Sequence, residues 1–284
     1  MYKLGLIGQS IAQSRSPALH EMLGEELGLP VTYDLHEPAD TSPQAFAQTL
    51  DSLRRQGYRG TNVTFPYKQL AVAEADSVKP SAGLIGSTNT LALAGGTAAF
   101  NTDYSGFIRG YRQRIGDRSA GRVVLIGAGG VGRAVAFALF EVGATEVQVF
   151  DLSPDSAASL SGALANAGYR SSVVGAAELE SAVREADGLV NCTPVGHYKT
   201  PGIPVAADWI GTQRWAFDAV YTPIDTEFMR RAYQAGLAIV SGFDLFIYQG
   251  MDAFEIFTER KIQAPEPIIR RFRERFDLRS ALLG

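Results

Sequence analysis

Short apolar runs rich in β-branched residues alternate along this chain with longer segments whose apolar positions recur at helical spacing, and glycine, proline or serine clusters separate the two. Such runs read as strands buried on both faces of a parallel sheet, and the longer segments as the helices that cover it. In order, the pattern predicts a strand over 2–7 and a helix over 18–27, with Ser16 as its N-cap and Pro17 at its first position. A strand over 31–35, a helix over 43–56 and a strand over 60–64, cut off by Pro66, come next. Two short strand-like segments end at Asn89 and at Asp103, and a helix spans 104–114. Beyond it the pattern predicts strands at 123–126, 146–150, 171–174, 189–191, 215–217 and 238–240, with helices over 133–142, 156–168, 176–186 and 225–236. Two amphipathic helices, 243–257 and 266–276, close the chain, and no internal repeat or low-complexity linker interrupts it. The expected class is α/β, in two domains.

The stretch from Val123 to Gly132 carries the most specific chemistry. A strand runs into Gly127-Ala128-Gly129-Gly130-Val131-Gly132, a G-x-G-x-x-G turn that opens a helix. Gly127 allows the sharp turn, Gly129 leaves room for a pyrophosphate against the backbone, and Gly132 lets helix and strand approach closely. The helix N-terminus adds free N–H groups and the positive end of a dipole. A second strand ends in Asp151, roughly 20 residues beyond the first glycine, where an acid accepts hydrogen bonds from an adenosine ribose. The sequence therefore predicts a nicotinamide dinucleotide site.

Composition narrows the partners. A net charge of −4 gives no reason to expect nucleic acid or a membrane surface, and no segment reaches the roughly 18 apolar residues of a membrane span. The single cysteine, Cys192, cannot form an internal disulfide and suits a cytoplasmic enzyme; it reads as a small core residue rather than a nucleophile. Three scattered histidines make no recognisable metal site. Ser14 and Ser16 lie beside a helix start, where two hydroxyls can cradle a carboxylate or simply cap the turn. Asn62, Thr64, Lys68, Asn89 and Asp103 all fall at strand ends, the ligand-binding edge of an open α/β sheet. Uncharged hydrogen-bonding groups with one lysine and one aspartate suit a small polyhydroxylated acid.

The residues that carry these expectations, taken together, resemble the shikimate and quinate dehydrogenases. They are Ser14 to His20 (S-x-S-P-x-L-H), Asn62 to Lys68 (N-V-T-x-P-x-K), Asn89-Thr90, Asn101-Thr102-Asp103-x-x-Gly106-Phe107, and the glycine turn. Asn191-Cys192-Thr193-Pro194-Val195-Gly196, Asp218-x-Val220-Tyr221-x-Pro223 and the Gly242 to Gln249 spacing complete the set, in the family's order and over nearly the whole chain. The resemblance implies a substrate-binding and catalytic domain over 1–103, a Rossmann-type NAD-binding domain over 104–241, and C-terminal helices over 242–284 that return to the first domain. It implies that Ser14 and Ser16 hold a cyclohexane carboxylate. Thr64, Asn89, Asp103 and Gln249 would hold its ring hydroxyls, with Asn62, Thr102 and Tyr221 nearby, and Lys68 and Asp103 would form the acid–base pair. Gly127, Ala128, Gly129, Gly130, Val131, Asp151, Thr193, Pro194, Gly196, Val220 and Gly242 would line the cofactor, with no metal. The oligomer expected is a monomer or homodimer.

Departures from the family pattern refine this. NADP-linked members carry an arginine after the second cofactor strand, whereas this chain has Asp151-Leu152-Ser153-Pro154-Asp155, two acids and no base. A carboxylate there repels a 2′-phosphate, so NAD is the expected cofactor, and with it the NAD-linked type that accepts quinate as well as shikimate. His197 replaces a common methionine, next to the expected nicotinamide, and reads equally as a solvated loop residue. Asp244 is an extra carboxylate before Gln249, able to recognise a further hydroxyl or an amino substituent. Two alternatives stay open: an NAD-dependent dehydrogenase of an aminoshikimate-like substrate, and a non-catalytic NAD-sensing protein.

Overall fold

The computed structural model describes residues 1–283. Two compact units emerge, one from Met1–Thr102 with Gln249–Leu278, the other from Asp103–Tyr248 with the tail that starts at Arg279.

The first unit begins β1 (Tyr2–Ile7), α1 (Ser16–Glu26), β2 (Val31–His36), α2 (Pro43–Arg55) and β3 (Gly60–Val63). It continues α3 (Leu70–Ala73), β4 (Ser77–Val78), α4 (Pro80–Ile85), β5 (Thr90–Ala92) and β6 (Ala98–Phe100). The strands form one sheet in the order β2-β1-β3-β5-β6-β4. Parallel pairing joins β1 to β2 and β3, while β5 runs antiparallel to β3, and β6 antiparallel to β5. Amphipathic α2 covers one face: Ser42 caps it by accepting from the Ala45 N–H at 3.1 Å, and Phe46, Leu50 and Leu53 pack on Ile7, Val63, Leu91 and Ala99.

This topology corrects two expectations. Asn89 does not end a strand; it immediately precedes β5. Because β5 is antiparallel to β3, its start lies at the same edge as the end of β3, with Thr90 opposite Asn62 and Phe100. The polar residues therefore still converge. Ser16 is not the N-cap of α1 either: that position falls to Arg15, and Ser16 opens the helix with Pro17 behind it. The Ser16 N–H instead takes the Ser14 hydroxyl as acceptor at 3.2 Å. The two-residue strand β4 and the one-turn helices α3 and α4 were too short to leave a periodic signature.

The second unit opens on α5 (Thr102–Ile115), which starts at its boundary, and runs β7 (Gly121–Ile126), α6 (Gly130–Glu141), β8 (Ala144–Phe150), α7 (Pro154–Asn166) and β9 (Ser171–Val173). Then come α8 (Leu179–Glu185), β10 (Gly188–Asn191), β11 (Trp215–Asp218), α9 (Glu227–Gln234) and β12 (Ala238–Ser241). The sheet is parallel throughout, in the order β12-β11-β10-β7-β8-β9. The chain winds outward from β7 to β9, crosses to β10 and winds the other way. The reversal leaves a crevice beyond the carboxyl ends of β7 and β10, where open α/β sheets bind ligands. On one face Phe107 and Tyr111 of α5 meet Phe217 and Trp215 edge-on, each pair 5.1 Å between centroids. On the other, Val183 of α8 and Phe228 and Met229 of α9 pack on Val124, Leu189 and Ala216.

The last helices are α10 (Gly242–Thr258) and α11 (Glu266–Arg275). The boundary between the units falls within α10, so its first turns belong to the second unit and its remainder, with α11, to the first. There α11 packs along α1 and joins it through Arg271 to Glu25 at 2.7 Å.

Candidate active site

In the first unit the end of β3, the start of β5 and the end of β6 bring Asn62, Asn89 and Thr102 together, all buried. Asn62 Nδ2 donates to the Asn89 carbonyl at 3.1 Å. Asn89 Oδ1 accepts from the Thr102 N–H at 2.7 Å and from the Thr102 hydroxyl at 3.1 Å. That engagement settles which way the amide faces: Asn89 Nδ2 is left to point outward, toward Gln249 Oε1 at 3.5 Å. Ser14 and Ser16 form a second group, hydroxyl to hydroxyl at 3.2 Å and half-buried. Thr64 and Lys68 lie in the turn after β3, and the Lys68 carbonyl accepts from the Thr88 N–H at 2.8 Å, which ties that turn to the approach to β5. The first unit thus brings Ser14, Ser16, Asn62, Thr64, Lys68, Asn89, Thr102 and Gln249 into one fold, while Asp103 and Tyr221 belong to the second. Asp103 does not end a strand, since β6 stops at Phe100; it is buried in the first turn of α5, and the Tyr221 ring stacks on Phe246 at 5.0 Å.

In the second unit the glycines after β7 serve different purposes. A methyl group on Gly132 would stand 1.9 Å from the Gly127 carbonyl oxygen, and one on Gly127, at φ +98°, would stand 2.8 Å from the Cys192 carbonyl carbon. Both are demanded by the protein itself. Gly129 is not: a side chain there would meet no protein atom within 4 Å. Gly129 is also the N-cap of α6, with no side chain to satisfy the first N–H groups of Gly130 and Val131. Space and unsatisfied donors at a helix start fit a pyrophosphate. At the end of β8 the Asp151 carboxylate accepts the Ala128 N–H at 2.7 Å and the Ser153 N–H at 2.8 Å, one on each oxygen, so each oxygen keeps a free lone pair. The residues present fit a dinucleotide. Gly242 has a packing reason of its own, since a methyl there would stand 2.3 Å from the Ala219 carbonyl oxygen.

The loops beyond β10 and β11 hang on one buried carboxyl, Asp218. Its Oδ1 accepts from Asn191 Nδ2 at 2.9 Å and from the Val220 N–H at 3.0 Å, and its Oδ2 from the Thr226 hydroxyl at 2.6 Å. Asn191 in turn accepts the Thr193 N–H and hydroxyl, at 3.1 and 2.7 Å, and donates to the Val195 carbonyl at 3.1 Å. Thr193, Pro194, Gly196 and Val220 are therefore held by residues to which the sequence reading assigned no role; their only signal was their place in the N-C-T-P-V-G and D-x-V-Y stretches. Burial pushes the Asp218 carboxyl up to about 7, against the pull of its three donors. A carboxyl raised on folding favours the folded state below its unfolded value and loses that contribution as pH climbs through the folded one. The melting temperature of the wild type is expected to fall more between pH 5 and pH 8 than that of Asp218→Asn, which cannot ionise, in a pH series of thermal melts.

A model of the shikimate dehydrogenase substrate binding domain matches residues 6–91. The quinate/shikimate dehydrogenase (NAD(+)) of Corynebacterium efficiens is 37% identical over 279 residues, covering 96% of each chain. The chain belongs to the shikimate/quinate dehydrogenase family. Another relative, the shikimate dehydrogenase (NADP(+)) of Streptomyces avermitilis, is 38% identical over 92% of this chain and 91% of its own. Among solved structures, the quinate dehydrogenase of Corynebacterium glutamicum in complex with NAD superimposes with a TM-score of 0.88 at 36% identity, over 97% of this chain and 98% of that one. The architecture expected of the shikimate/quinate dehydrogenase family, an α/β substrate domain and a Rossmann-type dinucleotide domain, is the one found.

Asp244 and His197, which depart from the pattern of the shikimate/quinate dehydrogenase family, and Cys192 are now placed. Asp244 does not present a carboxylate to a ligand: it is buried, gripped by the Arg114 guanidinium at 2.9–3.2 Å, and its Oδ2 accepts from the Ser241 N–H and hydroxyl at 3.0 and 2.7 Å. It caps α10, and the substrate role foreseen for it falls. His197 accepts the Lys199 N–H on Nδ1 at 3.1 Å within a small turn bridged to Thr200. Desolvation and the Asp218 and Asp103 carboxylates push the Cys192 thiol well up, in keeping with an inert residue. Among the described residues no cluster of histidine, cysteine or acidic side chains could hold a metal ion, and no helix is long and apolar enough to cross a membrane.

Proposed function

We propose that this protein oxidises shikimate to 3-dehydroshikimate, and quinate to 3-dehydroquinate, with NAD as hydride acceptor. The observation that carries the reading is an uncharged hydrogen-bonding cluster in the same unit as Lys68, in a chain whose dinucleotide fingerprint ends in a carboxylate. The NAD-linked names of the Corynebacterium relatives support it.

In this reading Ser14 and Ser16 donate to the substrate carboxylate. Thr64, Asn89, Asp103 and Gln249 hold the ring hydroxyls, with Asn62, Thr102 and Tyr221 around them, and Asn89 serves as a donor because its oxygen is spent on Thr102. Lys68 and Asp103 are the acid–base pair. Oxidation of a secondary alcohol takes a proton from oxygen as hydride leaves carbon, and a lysine can receive that proton if it is desolvated or if both transfers are concerted. In the reverse direction an ammonium is both proton donor and electrostatic partner of the developing alkoxide. The dinucleotide, when bound, supplies the hydride acceptor. Gly127, Ala128, Gly129, Gly130 and Val131 receive its pyrophosphate, Asp151 its adenosine ribose, and Thr193, Pro194, Gly196, Val220 and Gly242 line the nicotinamide side. With Asp244 committed to Arg114, the aminoshikimate alternative loses the residue that suggested it.

Initial rates with NAD and NADP, each with shikimate and with quinate, test the reading. NAD-linked turnover of both acids is expected, with kcat/KM for NAD at least about tenfold above that for NADP, the ratio that 1.4 kcal/mol of phosphate repulsion produces. Asp151→Asn should narrow the ratio. NADP-linked turnover of shikimate alone would refute the cofactor assignment.

A further inference from the structure

The residues assigned above to the cyclohexane acid are joined by two that were not. Tyr33, in β2, donates its hydroxyl proton to Asn62 Oδ1 at 2.9 Å, and the Ser16 side chain hydrogen-bonds the same hydroxyl. Thr90, at the start of β5, accepts from Asn62 Nδ2 at 3.0 Å and lies 3.0 Å from both Asn89 Oδ1 and the Thr102 hydroxyl. A continuous path thus runs from Ser14 through Ser16, Tyr33, Asn62 and Thr90 to Asn89, Thr102 and Gln249.

We infer that Tyr33 and Thr90 are positioning residues, which orient the substrate-binding hydroxyls and amides without touching the substrate. This rests on the assignment of that cluster to a cyclohexane carboxylic acid. The path has a direction. Asn62 Oδ1 can only accept, so the one Tyr33 proton goes to it, and Tyr33 takes the Ser16 proton only until a substrate carboxylate claims it. With its oxygen claimed by Tyr33, Asn62 turns its amide protons to the Asn89 carbonyl and to Thr90. The Thr90 and Thr102 groups converge on Asn89 Oδ1, so Asn89 shows a ligand its N–H groups and not its carbonyl. Removing the Tyr33 hydroxyl leaves the buried Asn62 Oδ1 without its donor, so the amide is held from one side only, by its bonds to the Asn89 carbonyl and Thr90. The Tyr33 hydroxyl has no freedom to compensate. Its ring is buried and lies 4.5 Å from the His20 ring, which in turn abuts Phe254 and Phe257. Burial lowers His20 to about 3, so that plate stays neutral.

The test compares Tyr33→Phe and Thr90→Val with Tyr58→Phe. Tyr58 is also buried in this unit, and its hydroxyl donates to Asp34 at 2.6 Å, off the path. Tyr33→Phe should raise KM for shikimate about tenfold while leaving kcat within about threefold and KM for NAD unchanged, the scale of one lost buried hydrogen bond. Thr90→Val should shift KM the same way, and serves alone if Tyr33→Phe does not fold. Tyr58→Phe should lower the melting temperature without moving KM. Shikimate KM values for both variants within about twofold of wild type, or moved no further than by Tyr58→Phe, would overturn the inference alone. A wild type that turns over neither shikimate nor quinate would overturn the substrate assignment and this inference with it.

Discussion

Lys68→Ala is expected to lower kcat for shikimate oxidation by about 10²- to 10⁴-fold, the range over which a positioned acid–base group accelerates proton transfer. The loss should fall on kcat more than on either KM, because the proposed role is proton transfer and charge stabilisation at the reacting oxygen rather than ground-state binding. The fold should survive. The bond that anchors the turn around Lys68 comes from its backbone carbonyl, which accepts the Thr88 N–H at 2.8 Å and does not depend on the side chain. Thermal melting near the wild-type temperature and unchanged NAD binding would establish that. Partial recovery of rate on adding a small primary amine would tie the loss to the missing amino group. Turnover within a few-fold of wild type would remove Lys68 from the mechanism.

Substitution in the glycine turn should separate binding from folding. Gly129→Val is expected to weaken NAD binding at least about 100-fold, or 2.7 kcal/mol, because the side chain would occupy the space read as the pyrophosphate site. Its cost to stability should stay near 1 kcal/mol, that of a poor N-cap, since no protein atom lies within 4 Å and the backbone there, at φ −70° and ψ −170°, suits any residue. Gly132→Ala should do the reverse first. Its methyl would stand 1.9 Å from the Gly127 carbonyl oxygen, so α6 must move off the turn, with a stability loss of about 1–3 kcal/mol or more. Cofactor titration alongside thermal melts of both variants reads the two effects apart. Gly129→Val with wild-type NAD affinity would show that its open space is not where the dinucleotide binds.

Much of this was legible from local pattern. The strand–glycine–helix of β7 and α6 needs no distant partner to be recognised, because close packing, a tight turn and an open helix start impose glycine at fixed spacing. Asp151 follows from the same local logic, and so do most of the helices and strands, whose apolar periodicity records the faces they bury. The residue types of the candidate site were legible too, as polar groups at segment ends.

What the chain alone did not decide was pairing. That Asn89 opens β5, yet reaches the same edge as Asn62 and Thr102, depends on antiparallel insertion into a sheet whose other half is parallel, and strand direction leaves no mark on so short a segment. Asp244 read as a spare carboxylate until Arg114, far away in sequence, proved to grip it. Asp218 stood out only as part of the D-x-V-Y stretch, and Tyr33 looked like an ordinary strand residue. Only tertiary structure buries one at the loops beyond β10 and β11 and sets the other's hydroxyl against Asn62. Sequence determined which groups were available, because composition and periodicity act locally. Tertiary structure decided which were free to meet a ligand and which were spent on each other, because hydrogen-bond partners are chosen across the fold.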